Sequence, residues 1–269
     1  MHKSEDVLRK TLDIVSRNSV SEAIKLQNEI AESIVLEDHP NVRSLIFSKK
    51  PTMIAGIDLS YPGGKALACA AIIKFYPDSK SYEIVEEESV LSEPGFPYIP
   101  GLLAFREIPA VAELMKKIKN RPQIVFFDGH GIAHPRRTGI ATHFSLAFGI
   151  PAIGIAKKKL TGNYIPPDTS YEEVLKSDPE RFEEEPELFR LPAGTPRNSN
   201  FFSPLIDKSG NQIGWALKLK KRTREIFASP GSMVSMKSTL RLTIMLYDGY
   251  KLPAPTRVAH NLTQRIYKI

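Results

Sequence analysis

The chain has very little cysteine and no long hydrophobic run. Its 269 residues include one cysteine, Cys69, which excludes an intramolecular disulfide or a zinc cluster built on cysteines and indicates a reducing compartment. No apolar run approaches the roughly 20 residues that cross a bilayer. Residues 1–17 carry charges throughout and lack the apolar core of a signal peptide. We therefore expect a cytoplasmic protein with no membrane partner.

Acidic residues are outnumbered by basic ones. The chain has 37 Lys and Arg against 30 Asp and Glu, which gives a formal net charge of +7. An excess of this sign suits a nucleic-acid partner, because Lys and Arg neutralise phosphates and release counterions. Many basic proteins have no such partner, so the charge alone leaves both interpretations open. A hydrophobic content of 42% excludes a wholly disordered chain.

The hydrophobic pattern predicts a mixed α/β fold. An amphipathic helix is predicted near residues 19–36. Three closely spaced strands follow, and their spacing predicts an antiparallel meander; they are 53–60, 66–76 and 81–90. The centre of the chain then alternates helices with short, wholly apolar strands, which is typical of a parallel sheet. The remaining predictions are a helix at 102–119 interrupted near Pro109, strands at 123–127 and 151–156, a helix at 138–148, strands at 212–220 and 224–228, and helices at 233–247 and 256–267.

We divide the chain into an N-terminal extension, residues 1–18, and one domain, residues 19–269. An acidic insertion at about 165–195 stands out within this domain. Residues 168–187 hold nine acidic and two basic side chains, which is typical of a solvated insertion or a short surface helix. Because it would repel a phosphate backbone, we expect it to lie away from any nucleic-acid interface.

Two aspartates lie at the ends of predicted buried strands. Asp58 is near the end of the first strand and Asp128 ends the fourth. Active sites of α/β sheets commonly lie at such strand ends, and an unpaired buried carboxylate is costly. With Glu107 on the intervening helix, these groups suit magnesium, which prefers oxygen ligands. Taken singly, either aspartate could instead form a turn or cap a helix.

Three loops offer further candidate groups. Residues 129–137 combine two glycines, two histidines and two arginines, which suit proton transfer and phosphate contact, although the glycines could simply make a turn. The basic runs at 157–159 and 218–224 either bind phosphate or are solvated. The loop Pro97-Tyr98-Ile99-Pro100 holds an aromatic side chain that could insert between stacked bases, or the loop could fold back onto the core.

Several of these segments resemble endonuclease V. The most specific are Gly56-Ile57-Asp58, the stretch from Pro97 to Glu107, and the stretch from Asp128 to Arg137. Further matches follow in the same order and at similar spacing along about residues 20–262. They are Gly154-Ile155-Ala156-Lys157, Leu160-Thr161-Gly162, Ser229-Pro230-Gly231, a weaker match at residues 248–253, and Pro255-Thr256-Arg257.

The resemblance implies a ribonuclease H-like fold with three antiparallel strands, then parallel strands, and helices on both faces. It also implies a monomeric, magnesium-dependent hydrolase, with manganese able to substitute. Such an enzyme cleaves DNA at the second phosphodiester bond 3′ to deoxyinosine and leaves 3′-hydroxyl and 5′-phosphate ends, which initiates repair. Two alternatives stay open: an endoribonuclease acting on inosine-containing RNA, and a lesion-binding protein that does not cleave.

The resemblance also assigns roles to individual residues. Asp58, Glu107 and Asp128 would hold the metal, and Lys157 would lie beside the scissile phosphate. His134 would be a further catalytic residue, near the pocket for the flipped base. The strand-separating wedge would be Pro97, Tyr98, Ile99 and Pro100. The pocket would be lined by main-chain groups of Gly101, Leu103, Gly129 and Gly131 and by the side chain of Ile140. In one departure, Ser232 stands where many family members are expected to carry a histidine near the metal.

Overall fold

The computed structural model describes residues 2–48, 50–177 and 201–268, and these ranges contain eight α-helices and eight β-strands. The helices are α1 (His2–Arg17), α2 (Val20–Glu32), α3 (Pro40–Phe47), α4 (Leu103–Lys117), α5 (Ile140–Phe148), α6 (Tyr171–Ser177), α7 (Met236–Met245) and α8 (Ala254–Tyr267). The strands are β1 (Thr52–Ser60), β2 (Ala66–Tyr76), β3 (Ser81–Ser92), β4 (Ile124–Asp128), β5 (Ala152–Ala156), β6 (Phe202–Ile206), β7 (Gln212–Leu217) and β8 (Ile226–Pro230).

The eight strands form one mixed sheet in the order β3-β2-β1-β4-β5-β8-β7-β6. The first three strands pair antiparallel, as the close spacing in the sequence predicts. Strand β4 then pairs parallel with β1, and β5 pairs parallel with β4. Strand β8 reverses the direction again by pairing antiparallel with β5. The predicted fold class is therefore confirmed, and the parallel strands β1, β4 and β5 occupy the middle of the sheet.

Helices cover both faces of the sheet, which explains why its central strands are apolar at almost every position. In β4, Phe126 joins a core cluster that includes side chains of α3 and α7. Its neighbours Val125 and Phe127 point to the opposite face and join a cluster with side chains of α4 and α5. Because successive strand residues point to opposite faces, burial on both sides requires a continuous apolar run.

Helix α4 runs through Pro109 without a break, so the predicted interruption is wrong. Proline removes the N–H that would bond to the carbonyl of Phe105, four residues earlier. The side chains of Phe105, Ile108 and Val111 are fully buried on both sides of the proline. Their burial stabilises the helix enough to offset one missing hydrogen bond.

The N-terminal helix α1 packs against the domain. Its side chains Val7, Ile14 and Val15 are buried in a cluster with Phe105 of α4. The hydroxyl of Thr11 donates to the carbonyl of Val7 at 2.8 Å and lies 2.7 Å from Nε2 of His143, which is fully buried on α5. Since that hydroxyl already donates once, it accepts a hydrogen bond from the imidazole. Thus α1 is joined to α5 by both apolar and polar contacts.

The start of the acidic insertion forms a short surface helix, one of the two forms that its composition predicts, but this helix is not wholly solvated. Helix α6 buries Tyr171 and Val174 in the main core cluster beside Phe201. Its carboxylates face the basic loop after β7, where Glu173 forms a 2.9 Å ion pair with Lys221. Two apolar side chains at i and i+3 form a buried stripe even in an acidic helix. Residues 178–195 of the predicted insertion lie outside the described residues.

Candidate active site

Asp58 and Asp128 meet at the carboxyl ends of two parallel strands. The register pairs Ile57 of β1 with Phe127 of β4, so the aspartates that follow lie side by side. A third group, His260 of α8, completes the cluster: its Nδ1 is 3.1 Å from Oδ2 of Asp58 and 4.0 Å from Oδ2 of Asp128. One ligand atom from each of the three residues lies within 4.8 Å of the other two.

A glycine brings α8 close enough for this arrangement. Gly56 precedes Asp58 by two residues and therefore points to the same face of the sheet. A Cβ atom built on Gly56 would lie 1.8 Å from the carbonyl oxygen of Pro255, at the start of α8. Any larger residue would push the helix away from the strand. The absence of a side chain at position 56 thus sets the distance between His260 and Asp58.

Lys157 lies at the same edge of the sheet, directly after β5, where the sequence analysis expects it. Its Nζ donates to Oδ2 of Asp128 at 2.5 Å and lies 3.3 Å from Nδ1 of His260. Burial and the neighbouring Asp58 carboxylate raise the pKa of Asp128, while the Lys157 ammonium acts in the opposite direction. The net direction for the pKa of Asp128 is upward, because burial and the Asp58 carboxylate together outweigh the effect of Lys157.

Glu107 of α4 faces this cluster from the other side and is buried. Burial, followed by repulsion from Asp58 and Asp128, raises the pKa of its carboxyl group to about 8. The two aspartate carboxylates and the His260 imidazole are a donor set that suits magnesium or manganese. Glu107, which the sequence predicts as a third carboxylate ligand, is not one of the three residues whose ligand atoms lie within 4.8 Å of one another, although its charge interacts with both aspartates. The residues therefore fit a divalent cation, which would offset the excess negative charge.

The loop with the exposed tyrosine lies at the surface of the domain. Tyr98 is 71% exposed, and its neighbours Pro97 and Pro100 are also exposed. Ile99 is half-buried and packs against the cluster formed by α1, α2 and α4. The loop is therefore fixed to the core through Ile99 while the Tyr98 ring points into solvent, which is the arrangement that a wedge requires.

The predicted pocket residues divide into two groups. Gly129 faces Ile140, because a Cβ atom on Gly129 would lie 2.6 Å from Cγ2 of that side chain, and Leu103 is 39% exposed at the start of α4. By contrast, both main-chain groups of Gly131 bond within the protein. Its N–H donates to Oγ of Ser229 at 2.8 Å, and its carbonyl accepts from the N–H of Gly139 at 3.1 Å. The N–H of Gly131 is therefore not free to donate to a ligand.

His134 lies beside Gly101 and apart from the carboxylates. Its Nδ1 accepts a hydrogen bond from the main-chain N–H of Arg136 at 3.2 Å. Burial, with the nearby Arg136 and His130, lowers the pKa of His134 to about 4, so the ring is neutral near pH 7. Among the described residues, it forms no ion pair with Asp58 or with Asp128.

The expectation that Ser232 occupies a position near the metal is wrong. Strand β8 runs antiparallel to β5, so residues after Pro230 lie at the beginning of β5, whereas Lys157 follows its end. Ser232 is buried, and its Oγ accepts from the main-chain N–H of Val35 at 3.0 Å. The length of β5 separates this serine from the carboxylates, and the imidazole at the site is supplied by His260.

His260 is the site residue that sequence reasoning missed. It follows the Pro255-Thr256-Arg257 match by three residues, within a predicted helix. That position and its chemistry as a metal ligand were the available signals, but a single histidine on a helix has many ordinary explanations.

Comparison with known proteins finds relatives that match most of this chain. The family model described as Endonuclease V matches residues 28–261. Endonuclease V of Xylella fastidiosa (strain Temecula1) is 37% identical over 248 residues, covering 92% of this chain and 88% of the relative. The Endonuclease V of Thermosipho melanesiensis is 34% identical, with 91% and 90% covered.

Solved structures agree in fold. The crystal structure of Endonuclease V from Bacillus subtilis superposes with a TM-score of 0.71 at 26% identity, covering 93% of this chain and 92% of that one. Endonuclease V of Ciona intestinalis has a TM-score of 0.68 at 22% identity, with 93% and 98% covered. That protein was crystallised with a 24mer DNA containing an inosine followed by a ribo-adenosine.

Proposed function

Because the chain belongs to the endonuclease V family, we propose that it is a metal-dependent nuclease that recognises deoxyinosine in DNA. We propose that it cleaves the second phosphodiester bond 3′ to the lesion and leaves 3′-hydroxyl and 5′-phosphate ends. The observation that carries this proposal is the cluster of Asp58, Asp128 and His260, with Lys157 beside it.

Asp58, Asp128 and His260 would hold a magnesium or manganese ion, and we propose Glu107, whose carboxyl group interacts electrostatically with both aspartates, as a further ligand once the ion is bound. Held by these residues, a divalent cation would supply polarisation of the phosphate and activation of a water molecule near neutral pH. The Lys157 side chain is 36% exposed, so its ammonium group lies at the open side of the cluster. From there it offsets the negative charge that develops on the phosphate in the transition state.

Recognition would take place beside this cluster, where the exposed Tyr98 enters the duplex next to the lesion. Extruding a mispaired base costs only a few kcal/mol, less than extruding a well-paired one. The Tyr98 ring would stack where the extruded base had been. The pocket for the extruded hypoxanthine would be lined by Gly101, Leu103, Gly129 and Ile140. Gly131 would stabilise the loop through its hydrogen bonds within the protein, and His134 would pack beside Gly101.

The two alternatives differ from this proposal in their substrate or in the reaction. A member acting on inosine in RNA would use the same cluster, because the scissile group is a phosphodiester in both nucleic acids. A binding protein without cleavage would have no use for a complete set of carboxylates, imidazole and lysine. The presence of all these groups therefore favours cleavage.

The proposal is tested with matched DNA and RNA oligonucleotides that carry one inosine or one adenosine. Each is incubated with Mg²⁺, with Mn²⁺ or with EDTA, and the cut position and end groups are mapped. We expect metal-dependent cleavage of the inosine DNA and at least a thousandfold loss in Asp58→Asn. Equal cleavage of the adenosine strand, or cleavage in EDTA, would contradict the proposal. Preference for RNA would establish the ribonuclease alternative.

A further inference from the structure

A buried glutamine joins the two loops proposed to recognise the lesion. Gln27 of α2 is fully buried, and a buried amide requires hydrogen-bond partners because it has lost those of water. Its Nε2 donates to the carbonyl oxygens of Gly101 and Thr138, at 2.9 Å and 3.3 Å. Its Oε1 accepts from Nε of Arg136 at 2.5 Å. One side chain thus contacts the loop before α4 and the loop before α5.

The carbonyl of Gly101 is the point where these contacts converge. It accepts from Gln27 and also from Nη2 of Arg136, at 2.8 Å. Gly101 has a φ of +80°, and a Cβ atom there would lie 2.8 Å from the Arg136 guanidinium. The backbone conformation therefore favours glycine, and a larger residue would also displace the Arg136 guanidinium. We call Gln27, Gly101, Arg136 and Thr138 the Gly101 corner.

The Gly101 corner lies between the wedge and the catalytic helix. On its N-terminal side, the N–H of Leu102 donates to the carbonyl of Ile99 at 2.9 Å, which closes the turn of residues 99–102 that directly follows Tyr98. On its other side α4 begins at Leu103 and carries Glu107 one turn later. A shift of the Gly101 carbonyl would therefore move the wedge and the pocket relative to the carboxylates.

We infer that Gln27 is a positioning residue that sets substrate recognition by holding Gly101 and Arg136 in place. The inference rests on the proposed function, because it takes Tyr98 and Gly101 as part of the recognition surface. The Gln27 side chain is buried between α2 and the two loops, and it contacts none of Asp58, Asp128, His260 and Lys157. Its effect is on the geometry of the loop, so it belongs to binding and selectivity rather than to the cleavage step.

The test compares Gln27→Met, which has a similar volume and no amide, with Asn28→Ala, an exposed neighbour on the same helix. We expect Gln27→Met to raise the inosine-DNA concentration for half-maximal cleavage at least tenfold. The single-turnover rate at saturation and the Mn²⁺ affinity should change less than threefold. Amide hydrogen exchange in residues 97–102 should become faster, while exchange in α2 stays as in the wild type.

Arg136→Met provides a second test, because it removes the other side chain that donates to the carbonyl of Gly101. If Gln27 acts through the Gly101 corner, the double variant should be much less impaired than the product of the two single effects, because groups in one network are not additive. If Gln27→Met does not fold, faster loop exchange in Arg136→Met supports the inference and unchanged exchange overturns it.

Other outcomes overturn the inference directly. One is that Gln27→Met leaves unchanged both the inosine-DNA concentration for half-maximal cleavage and the amide hydrogen exchange at residues 97–102. Another is a loss that appears equally in α2 exchange and in the unfolding temperature, since that would be a general structural effect. A wild-type enzyme without inosine preference would refute the proposed function instead, and loop exchange would still decide whether Gln27 positions the corner.

Discussion

The main chain of Gly56 lies directly against the carbonyl of Pro255, so close that a Cβ atom would be 1.8 Å from that oxygen. Asp58 lies two residues along the strand from this contact, and His260 lies five residues along the helix. The contact between β1 and α8 therefore determines whether the imidazole reaches the carboxylate. The role of His260 can be tested by metal binding, independently of catalysis.

His260→Ala should weaken Mn²⁺ binding by at least about tenfold, or about 1.4 kcal/mol. The imidazole is one of three groups whose ligand atoms lie within 4.8 Å of one another, and alanine removes its nitrogen donor. Calorimetric titration with Mn²⁺ measures the effect, and Gln264→Ala, exposed on the same helix, is the control. Equal Mn²⁺ affinity in both variants would exclude His260 as a ligand.

Glu107→Gln should make the stability of the metal-free protein less dependent on pH. The pKa of Glu107 is about 8 in the folded protein against a usual value of 4.5, so the folded state binds the extra proton between these values. Stability therefore falls as pH rises through this window, by up to about 1.4 kcal/mol per pH unit. Glutamine removes this contribution.

Urea unfolding in EDTA between pH 5 and pH 9 measures this difference. Glu113→Gln provides the control, because Glu113 is exposed on the same helix. Parallel stability curves for wild type and Glu107→Gln would show that Glu107 does not take up a proton on folding.

Tyr98→Ala should impair cleavage of duplex inosine DNA much more than cleavage of a single strand. The stacking that the ring supplies is worth roughly 1–3 kcal/mol per base, or roughly 5- to 150-fold in rate. Since Tyr98 is 71% exposed, its removal should leave stability nearly unchanged. Single-turnover rates on the two substrates give the ratio, with the exposed Tyr267→Ala as control. Equal losses on both would mean that Tyr98 does not separate strands.

Tyr171→Ala should destabilise the protein by about 3 kcal/mol, as expected for truncating a buried aromatic side chain. Tyr171 packs against Phe201 and Tyr247, with ring centroids 5.0 and 5.2 Å apart. Leu175→Ala changes the exposed side of the same helix and should have little effect. If denaturant unfolding finds the two variants equally stable, α6 contributes nothing to the core.

The sequence predicts most of the sheet and two of the three closest site residues. The turn at Pro62-Gly63-Gly64 and the spacing around it identify the antiparallel meander. The apolar runs identify β4 and β5, and Asp58 and Asp128 stand out because carboxylates at the ends of such strands are unusual. These signals are local in the sequence, so they can be found without the structure.

The missed features depend on contacts between distant parts of the chain. Strand β6 contains Pro204, which opposes a strand assignment unless the strand lies at a sheet edge, as β6 does. The role of His260 depends on the close approach of α8 to β1 at Gly56. The distance of Ser232 from the carboxylates depends on the antiparallel direction of β8, which the sequence motif does not specify.

The order of the site residues along the chain has a consequence for synthesis. A ribosome makes Asp58 and Asp128 well before the imidazole of His260, which belongs to α8, among the last described elements. A nascent chain would therefore fold much of the sheet while the ligand set was still incomplete. If cleavage requires all three groups, the growing polypeptide is catalytically inactive until α8 has packed against Gly56.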